Sequence, residues 1–147
     1  MVILRHFTEQ DASFVCEGLY PDLTIDEVVT MIREWNSGVH CGRYFEMFAV
    51  LSDDTIVGYA SLTEHSQSTV SAGIEILSSE RNKGFGAQAL AALIDAASGK
   101  GYRIMLDQVR TDNQASIRLH EKMGFESDGY TYRNRNNNEI ILYIKPL

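Results

Sequence analysis

Residues 74–89 read Ile-Glu-Ile-Leu-Ser-Ser-Glu-Arg-Asn-Lys-Gly-Phe-Gly-Ala-Gln-Ala, and they are the most informative part of the chain. An apolar run typical of a strand ends at about Ser78, and a helix with apolar residues at helical spacing starts at about Gly84. Glycine at the start of a helix leaves backbone N–H groups bare, and the helix dipole favours negative charge there. Arg81 and Lys83 add cationic donors beside the turn. The stretch is therefore a candidate cradle for a pyrophosphate.

Two other interpretations of the same stretch stay open on these residues alone. The first is a strand-to-helix turn eased by glycine, with solvated basic side chains and no ligand. The second is a dinucleotide-binding fingerprint, because residues 84–89 match G-x-G-x-x-A and Asp107 lies near the end of the next strand. Such a fingerprint belongs to a repeated β-α-β array, whereas only one clear crossover follows it here.

The residues on either side predict a mixed α+β fold, with a mostly antiparallel central sheet flanked by about four helices. In chain order, the predicted elements are strand 2–5, helix 8–18, helix 24–36, strands 47–51, 56–62 and 70–77, helix 84–98, strand 102–109, helix 113–123 and strands 125–133 and 139–145. The second helix opens with a capping box, Thr24 and Glu27. No linker or repeat divides the chain, so we expect one domain over residues 1–147.

The composition narrows the classes of protein. With 44% hydrophobic and 22% charged residues in 147, the chain is neither disordered nor fibrous. A net charge of −7 disfavours nucleic acid as a partner. Cys16 and Cys41 stand alone, the four histidines have no metal-ligand spacing, and no signal peptide or membrane-spanning run is evident. We expect a cytoplasmic protein with no metal, no membrane and no nucleic acid.

A second motif follows the glycine-rich turn. Residues 113–125 read Asn-Gln-Ala-Ser-Ile-Arg-Leu-His-Glu-Lys-Met-Gly-Phe, and Arg81, Gly84 and Gly86 are spaced as Arg-x-x-Gly-x-Gly. Together they resemble the GNAT family of acetyl-CoA-dependent N-acetyltransferases. That family has the loop Arg/Gln-x-x-Gly-x-Gly/Ala, then an Asn that opens a helix and a run ending Tyr-Glu-Lys-x-Gly-Phe. The predicted element order also resembles the family fold along the whole chain.

The resemblance implies an acetyl-CoA site between two splayed central strands, 70–77 and 102–109. An amine would attack the thioester directly, and a backbone N–H near Leu77 would stabilise the tetrahedral intermediate. The residues implied to bind acetyl-CoA are Ile76, Leu77, Ser78, Arg81, Asn82, Lys83, Gly84, Phe85, Gly86, Ala87, Asn113 and Ser116. The implied acceptor is a small-molecule amine or a peptide N-terminus. Monomer and homodimer both stay open.

Two catalytic residues are predicted. His120 stands where the family frequently has a tyrosine that protonates the departing thiolate, and members of the phosphinothricin type also read Arg-Leu-His-Glu there. Glu75 interrupts an apolar central strand, where a carboxylate is costly unless it is paired or faces a wet cleft, and it is predicted to accept the amine proton through water.

Each of these residues has a simpler explanation beside the catalytic one. His120 can be an ordinary helix residue, and Glu75 can face solvent. Asp107 interrupts the neighbouring strand in the same way, and it can face solvent or pair with Arg103. The alternative function for the whole chain is a non-catalytic acyl-CoA-binding or sensing module.

Overall fold

One eight-stranded sheet organises the computed structural model, which describes residues 1–147. The strands and helices are β1 (Val2–His6), α1 (Ala12–Gly18), α2 (Ile25–Trp35), β2 (Val39–His40), β3 (Arg43–Ser52), β4 (Thr55–Glu64), β5 (Thr69–Ile76), α3 (Phe85–Gly99), β6 (Ile104–Arg110), α4 (Gln114–Lys122), β7 (Thr131–Arg133) and β8 (Glu139–Pro146). The strand order is β1-β3-β4-β5-β6-β8-β7, and β2 pairs with β3. Every pair is antiparallel except β5 with β6. The predicted mixed α+β class with four helices is confirmed.

The parallel pair at the centre of the sheet is incomplete. β5 and β6 are paired only at Thr69 with Ile104 and at Val70 with Met105. β5 stays paired with β4 as far as Ile76, and β6 stays paired with β8 along its whole length. The two strands therefore part after their first paired residues, as the splayed arrangement requires.

Hydrophobic cores lie on both faces of the sheet. Leu90 and Leu93 of α3 pack with residues of β3 to β6, while Val28 and Ile32 of α2 pack with β3 and α1. No buried residue from β5, β6 or β8 belongs to the second core. The face of β5, β6 and β8 on the side of α1 and α2 thus has no helix packed over it. None of the helices has the length and hydropathy needed to cross a membrane.

Local sequence signals explain most element boundaries. Thr24 accepts a hydrogen bond from the Glu27 N–H at 3.1 Å, and the Glu27 carboxylate accepts one from the Thr24 N–H at 3.2 Å, so the predicted capping box is confirmed. Asn113 caps α4 by accepting a hydrogen bond from the Ser116 N–H at 3.1 Å. These two caps fix where α2 and α4 begin.

The predicted strand 125–133 is wrong in its first half. Only Thr131–Arg133 is a strand, and Glu126 forms an isolated bridge with Ile144. Gly129 has a φ of +81°, and the Ser127 and Asp128 side chains accept hydrogen bonds from backbone N–H groups two residues on. Such side-chain bonds compete with a strand ladder and produce a turn.

Candidate active site

The parting of β5 and β6 opens a cleft of about 570 Å³. β5 forms one wall, β6 and α4 form the other, and the first residues of α3 close one end. The predicted site residues that line it are Glu75, Ile76, Arg81, Asn82, Gly84, Phe85, Gly86, Asn113, Ser116 and His120. Residues far apart in the sequence are thereby brought to one place.

The start of α3 presents bare backbone donors to the cleft. Gly84 has a φ of +82°, which glycine adopts without strain, and it caps the helix. The first intrahelical bond runs from the Gln88 N–H to the Gly84 carbonyl at 3.2 Å, so the N–H groups of Phe85, Gly86 and Ala87 precede it. A helix start of this kind binds anions.

Gly86 keeps the space between the two walls open. A Cβ built at this residue would lie 3.8 Å from Leu119 Cδ2 on α4 and 3.9 Å from Ile76 Cγ1 on β5. These are ordinary contact distances, so alanine can be accommodated. A larger side chain would project into the cleft itself.

Four predicted site residues lie outside the cleft lining: Leu77, Ser78, Lys83 and Ala87. The Leu77 N–H donates to the Val57 carbonyl at 2.9 Å, and the Lys83 ammonium pairs with Glu80 at 2.8 Å. The Leu77 N–H itself is therefore used within the sheet, and the expected oxyanion donor near Leu77 stays a prediction for its neighbours on β5.

The free backbone donors of β5 lie further back along the strand. The Ala72 N–H points towards β6, since it donates to Asp107 Oδ1 at 2.8 Å. In an antiparallel ladder alternate residues present their N–H groups to the same side, so Ile74 and Ile76 also face the cleft. These groups can bond an extended ligand that follows β5.

A buried ion pair lies where the strands part. His120 Nε2 is 2.9 Å from Asp107 Oδ2, and His120 Nδ1 is 2.8 Å from the Ser116 carbonyl oxygen. A ring nitrogen bonds to a carbonyl oxygen, or to an ionised carboxylate, by donating a proton. Burial lowers the pKa of His120, but its hydrogen bonds to Asp107 and Ser116 outweigh burial and raise the pKa above its ordinary value. The hydrogen bonds therefore favour the charged form of the ring.

Asp107 joins three elements through one carboxylate. Oδ1 accepts from the Ala72 N–H on β5, Oδ2 pairs with His120 on α4, and the residue itself belongs to β6. Only 3% of Asp107 is exposed. Asp107 therefore neither faces solvent nor pairs with Arg103, the two alternatives that the sequence left open. Its carboxylate bonds to β5 just beyond the point where the backbone pairing of β5 with β6 ends.

Glu75 lines the cleft at the α3 end. Its Oε1 accepts from Arg81 Nη2 at 2.8 Å, and the Arg81 Nε–H donates to the Ile76 carbonyl at 3.1 Å. The two side chains are about half exposed. The pairing fixes Arg81 beside the start of α3, and a base role for Glu75 stays a prediction.

Sequence reasoning missed a second, smaller pocket of about 320 Å³. Its lining is His65, Ser71, Ala72, Leu106, Gln108 and Leu142. The period-two alternation of β5 and β6 was the available signal, since it separates Ser71 and Gln108 from the buried residues beside them. His65 lies on the β4–β5 connection, where no sequence pattern predicts its direction.

A family model described as the acetyltransferase (GNAT) family matches residues 7–125. The chain belongs to this family. The matched range includes both the turn that begins α3 and the run through α4, so it contains the whole lining of the larger cleft. The resemblance drawn from the two motifs is confirmed.

Relatives with assigned activities cover part of this GNAT chain. A Pseudomonas aeruginosa L-methionine sulfoximine/L-methionine sulfone acetyltransferase is 37% identical over 79 residues, 50% of this chain and 46% of the relative. The L-amino acid N-acyltransferase MnaT of Escherichia coli is 32% identical over 75 residues, 48% of this chain and 44% of the relative. The matches thus span about half the length of these relatives.

A solved structure covers nearly all of the chain. The putative acetyltransferase yncA from Salmonella typhimurium, solved with its cofactor acetyl-CoA, has a TM-score of 0.74 and 18% identity over 99% of this chain and 94% of that one. At this identity the likeness shows the shared fold.

Proposed function

We propose that this GNAT chain is an N-acetyltransferase that moves the acetyl group of acetyl-CoA to the amine of a small molecule or a peptide N-terminus. The observation that carries the proposal is the cleft between β5 and β6, with an anion-binding helix start at one end and the buried pair of His120 and Asp107 at the other. An elongated donor with a charged end and a reactive end matches that arrangement.

The donor would lie along β5 with its pyrophosphate at the start of α3. The bare N–H groups of Phe85, Gly86 and Ala87 bind phosphate oxygens, and Arg81 adds a cation beside them. The N–H groups of Ile74 and Ile76 bond the pantetheine arm along the strand. Asn113 and Ser116, at the start of α4, contact the arm from the opposite wall.

The reaction takes place where β5 and β6 part. A neutral amine attacks the thioester carbonyl carbon, a C–N bond forms, and the C–S bond breaks with its electron pair on sulfur. His120 lies at this end of the cleft, and in its charged form it stabilises the departing thiolate and supplies its proton. The departing sulfur therefore competes with Asp107 for the proton on His120 Nε2.

Two observations support a small acceptor amine that carries no second cationic group. The lining of the smaller pocket contains three polar and three apolar residues and no Asp, Glu, Lys or Arg, so it holds no carboxylate for a second cation of a polyamine. The relatives from Pseudomonas aeruginosa and Escherichia coli are named for amino acids and their analogues. We therefore favour an amino-acid-like amine.

A CoA-release assay tests the proposal against a non-catalytic acyl-CoA-binding module. The protein is mixed with acetyl-CoA and, separately, methionine sulfoximine, methionine, a short peptide and spermidine, and free thiol is followed. We expect amine-dependent thiol release, strongest with the amino-acid-like amines. Tight acetyl-CoA binding without release for any amine would instead establish the binding module.

A further inference from the structure

The smaller pocket lies on the opposite face of the sheet from α3 and α4. Ser71 is paired with Thr63, and it alternates with Val70 and Ala72, which pack against the α3 core. Leu106 and Gln108 alternate in the same way with the buried Met105 and Asp107 of β6, and Leu142 is the β8 partner of Gln108. The pocket therefore belongs to the sheet face that has no helix over it.

The two cavities meet where β5 and β6 part. Ala72 and Gln108 line both of them. The pair of Asp107 and His120 stands on one side of this junction, and Ser71 stands on the other. A ligand in the smaller pocket thus faces the reactive end of the larger cleft through the gap between the strands.

Ser71 and His65 form a hydrogen-bonded pair in the smaller pocket. His65 Nε2 lies 2.8 Å from Ser71 Oγ, and the imidazole is exposed to solvent. When the serine hydroxyl donates to this nitrogen, its lone pairs stay free to accept an N–H from a bound amine. His65 is the only side chain in the lining with a ring nitrogen that can accept the serine proton.

The charged groups around His65 are engaged elsewhere. Glu64, its chain neighbour, accepts a hydrogen bond from the Tyr102 hydroxyl and lies 3.9 Å from Arg43. Glu64 is paired with Val70, so its side chain belongs to the α3 face of the sheet. Arg103 precedes β6 and meets this connection through its backbone N–H, which donates to the Ser68 carbonyl at 2.9 Å. No carboxylate therefore competes with Ser71 for the ring.

We infer that Ser71 and His65 are the proton path for the acceptor amine, an inference that rests on the proposed transferase function. The substrate ammonium donates an N–H to Ser71 Oγ, and the serine proton passes to His65 Nε2. The neutral amine then attacks the thioester. The substrate nitrogen loses two protons in all. The first passes through Ser71 and His65 to water, and the second balances the proton that the sulfur gains.

This path stands closer to the reacting atoms than Glu75 does. Ser71 directly precedes Ala72, whose N–H marks the point where the strands part. Glu75 lies three residues beyond Ala72 on β5, and its carboxylate is held by Arg81. Ser71 contacts the substrate, and His65 acts through it.

The test compares His65→Gln, Ser71→Ala and Glu75→Gln with the wild-type chain at saturating acetyl-CoA. We expect kcat/KM for the amine to fall by about 10²-fold in the first two variants at pH 7, the low end of a typical general base contribution. The deficit should shrink at about pH 9, where more of the amine is already neutral, and KM for acetyl-CoA should not change. Added imidazole should restore the activity of a His65→Ala variant, because the position of the His65 ring is open to solvent. His40→Gln, at an exposed histidine outside both cavities, is the matched control.

Two results would overturn the inference. One is a wild-type pH profile in folded His65→Gln and Ser71→Ala; the other is selective loss of activity at low pH in Glu75→Gln alone. A wild-type chain that binds CoA but acetylates no amine would instead refute the proposed function, so the two failures are distinguishable.

Discussion

At the residue scale, the charge state of His120 couples the site to the stability of the fold. The pKa of His120 is raised in the folded protein, because the hydrogen bonds of the ring to Asp107 and Ser116 outweigh burial. A group of this kind stabilises the fold fully below its unfolded pKa, and the stabilisation is lost as pH rises through the folded pKa. The pair should therefore make the protein less stable at alkaline pH.

Asp107→Asn tests this coupling. The amide oxygen can still accept from the Ala72 N–H, but the charge that holds the imidazolium is removed. Breaking a buried ion pair from one side costs about 3–5 kcal/mol, so we expect a loss of this order at about pH 6. Urea unfolding at about pH 6 and about pH 9 should show a decline with pH in the wild type and a much smaller one in the variant. Parallel declines would mean that the pair carries no charge.

The chemical role of His120 needs a kinetic test. His120→Ala should lower kcat by about 10²–10⁴-fold with little change in KM for acetyl-CoA, because the loss falls on thiolate departure. His120→Tyr should recover part of the rate by restoring a proton donor. A single-turnover chemical step at wild-type speed in folded His120→Ala would reduce this residue to a structural role.

Glu75 and Asp107 show how far sequence reasoning reaches at this scale. Both are carboxylates inside an apolar strand, yet Asp107 is 3% exposed and the Glu75 side chain is about half exposed. Their partners come from α4 and from the turn before α3. The partners of Asp107 depend on where β5 and β6 part, and no local pattern encodes that point.

At the element scale, the start of α3 should govern donor binding. Gly86→Val would place methyl groups between Ile76 and Leu119, where even the Cβ of an alanine would lie within 4 Å of both side chains. We expect the affinity for CoA in calorimetric titration to fall by about tenfold or more, which is 1.4 kcal/mol or more. Gly99→Val, at the other end of α3 with open space around it, is the matched control. Unchanged affinity for CoA in a folded Gly86→Val variant would show that the pyrophosphate does not bind at the start of α3.

Elements with local signals were predictable, and those without were not. The caps at Thr24 and Asn113 mark α2 and α4 in the sequence as well as in the structure. The two-residue strand Val39–His40 was missed, because two residues carry no alternation. The parting of β5 and β6 followed only from the family resemblance.

At the scale of the whole molecule, two cores hold the sheet from opposite faces. Leu93 belongs to the core under α3, and Ile32 belongs to the core under α2. Leu93→Ala and Ile32→Ala should each cost about 2–5 kcal/mol. Since the two side chains share no core, the double variant should lose the sum to within about 0.5 kcal/mol in urea unfolding. A large departure from additivity would show that the cores are coupled through the sheet.

The most direct test of the whole account is to follow the acetyl group itself. The chain is given acetyl-CoA labelled in the acetyl group together with methionine sulfoximine, and the products are identified by mass spectrometry. We predict that the label moves to the amine nitrogen with an equal amount of free CoA, and that Gly86→Val slows this transfer at a fixed, low acetyl-CoA concentration while Gly99→Val does not. Label that stays on CoA, or that leaves it only as acetate, would contradict this assignment.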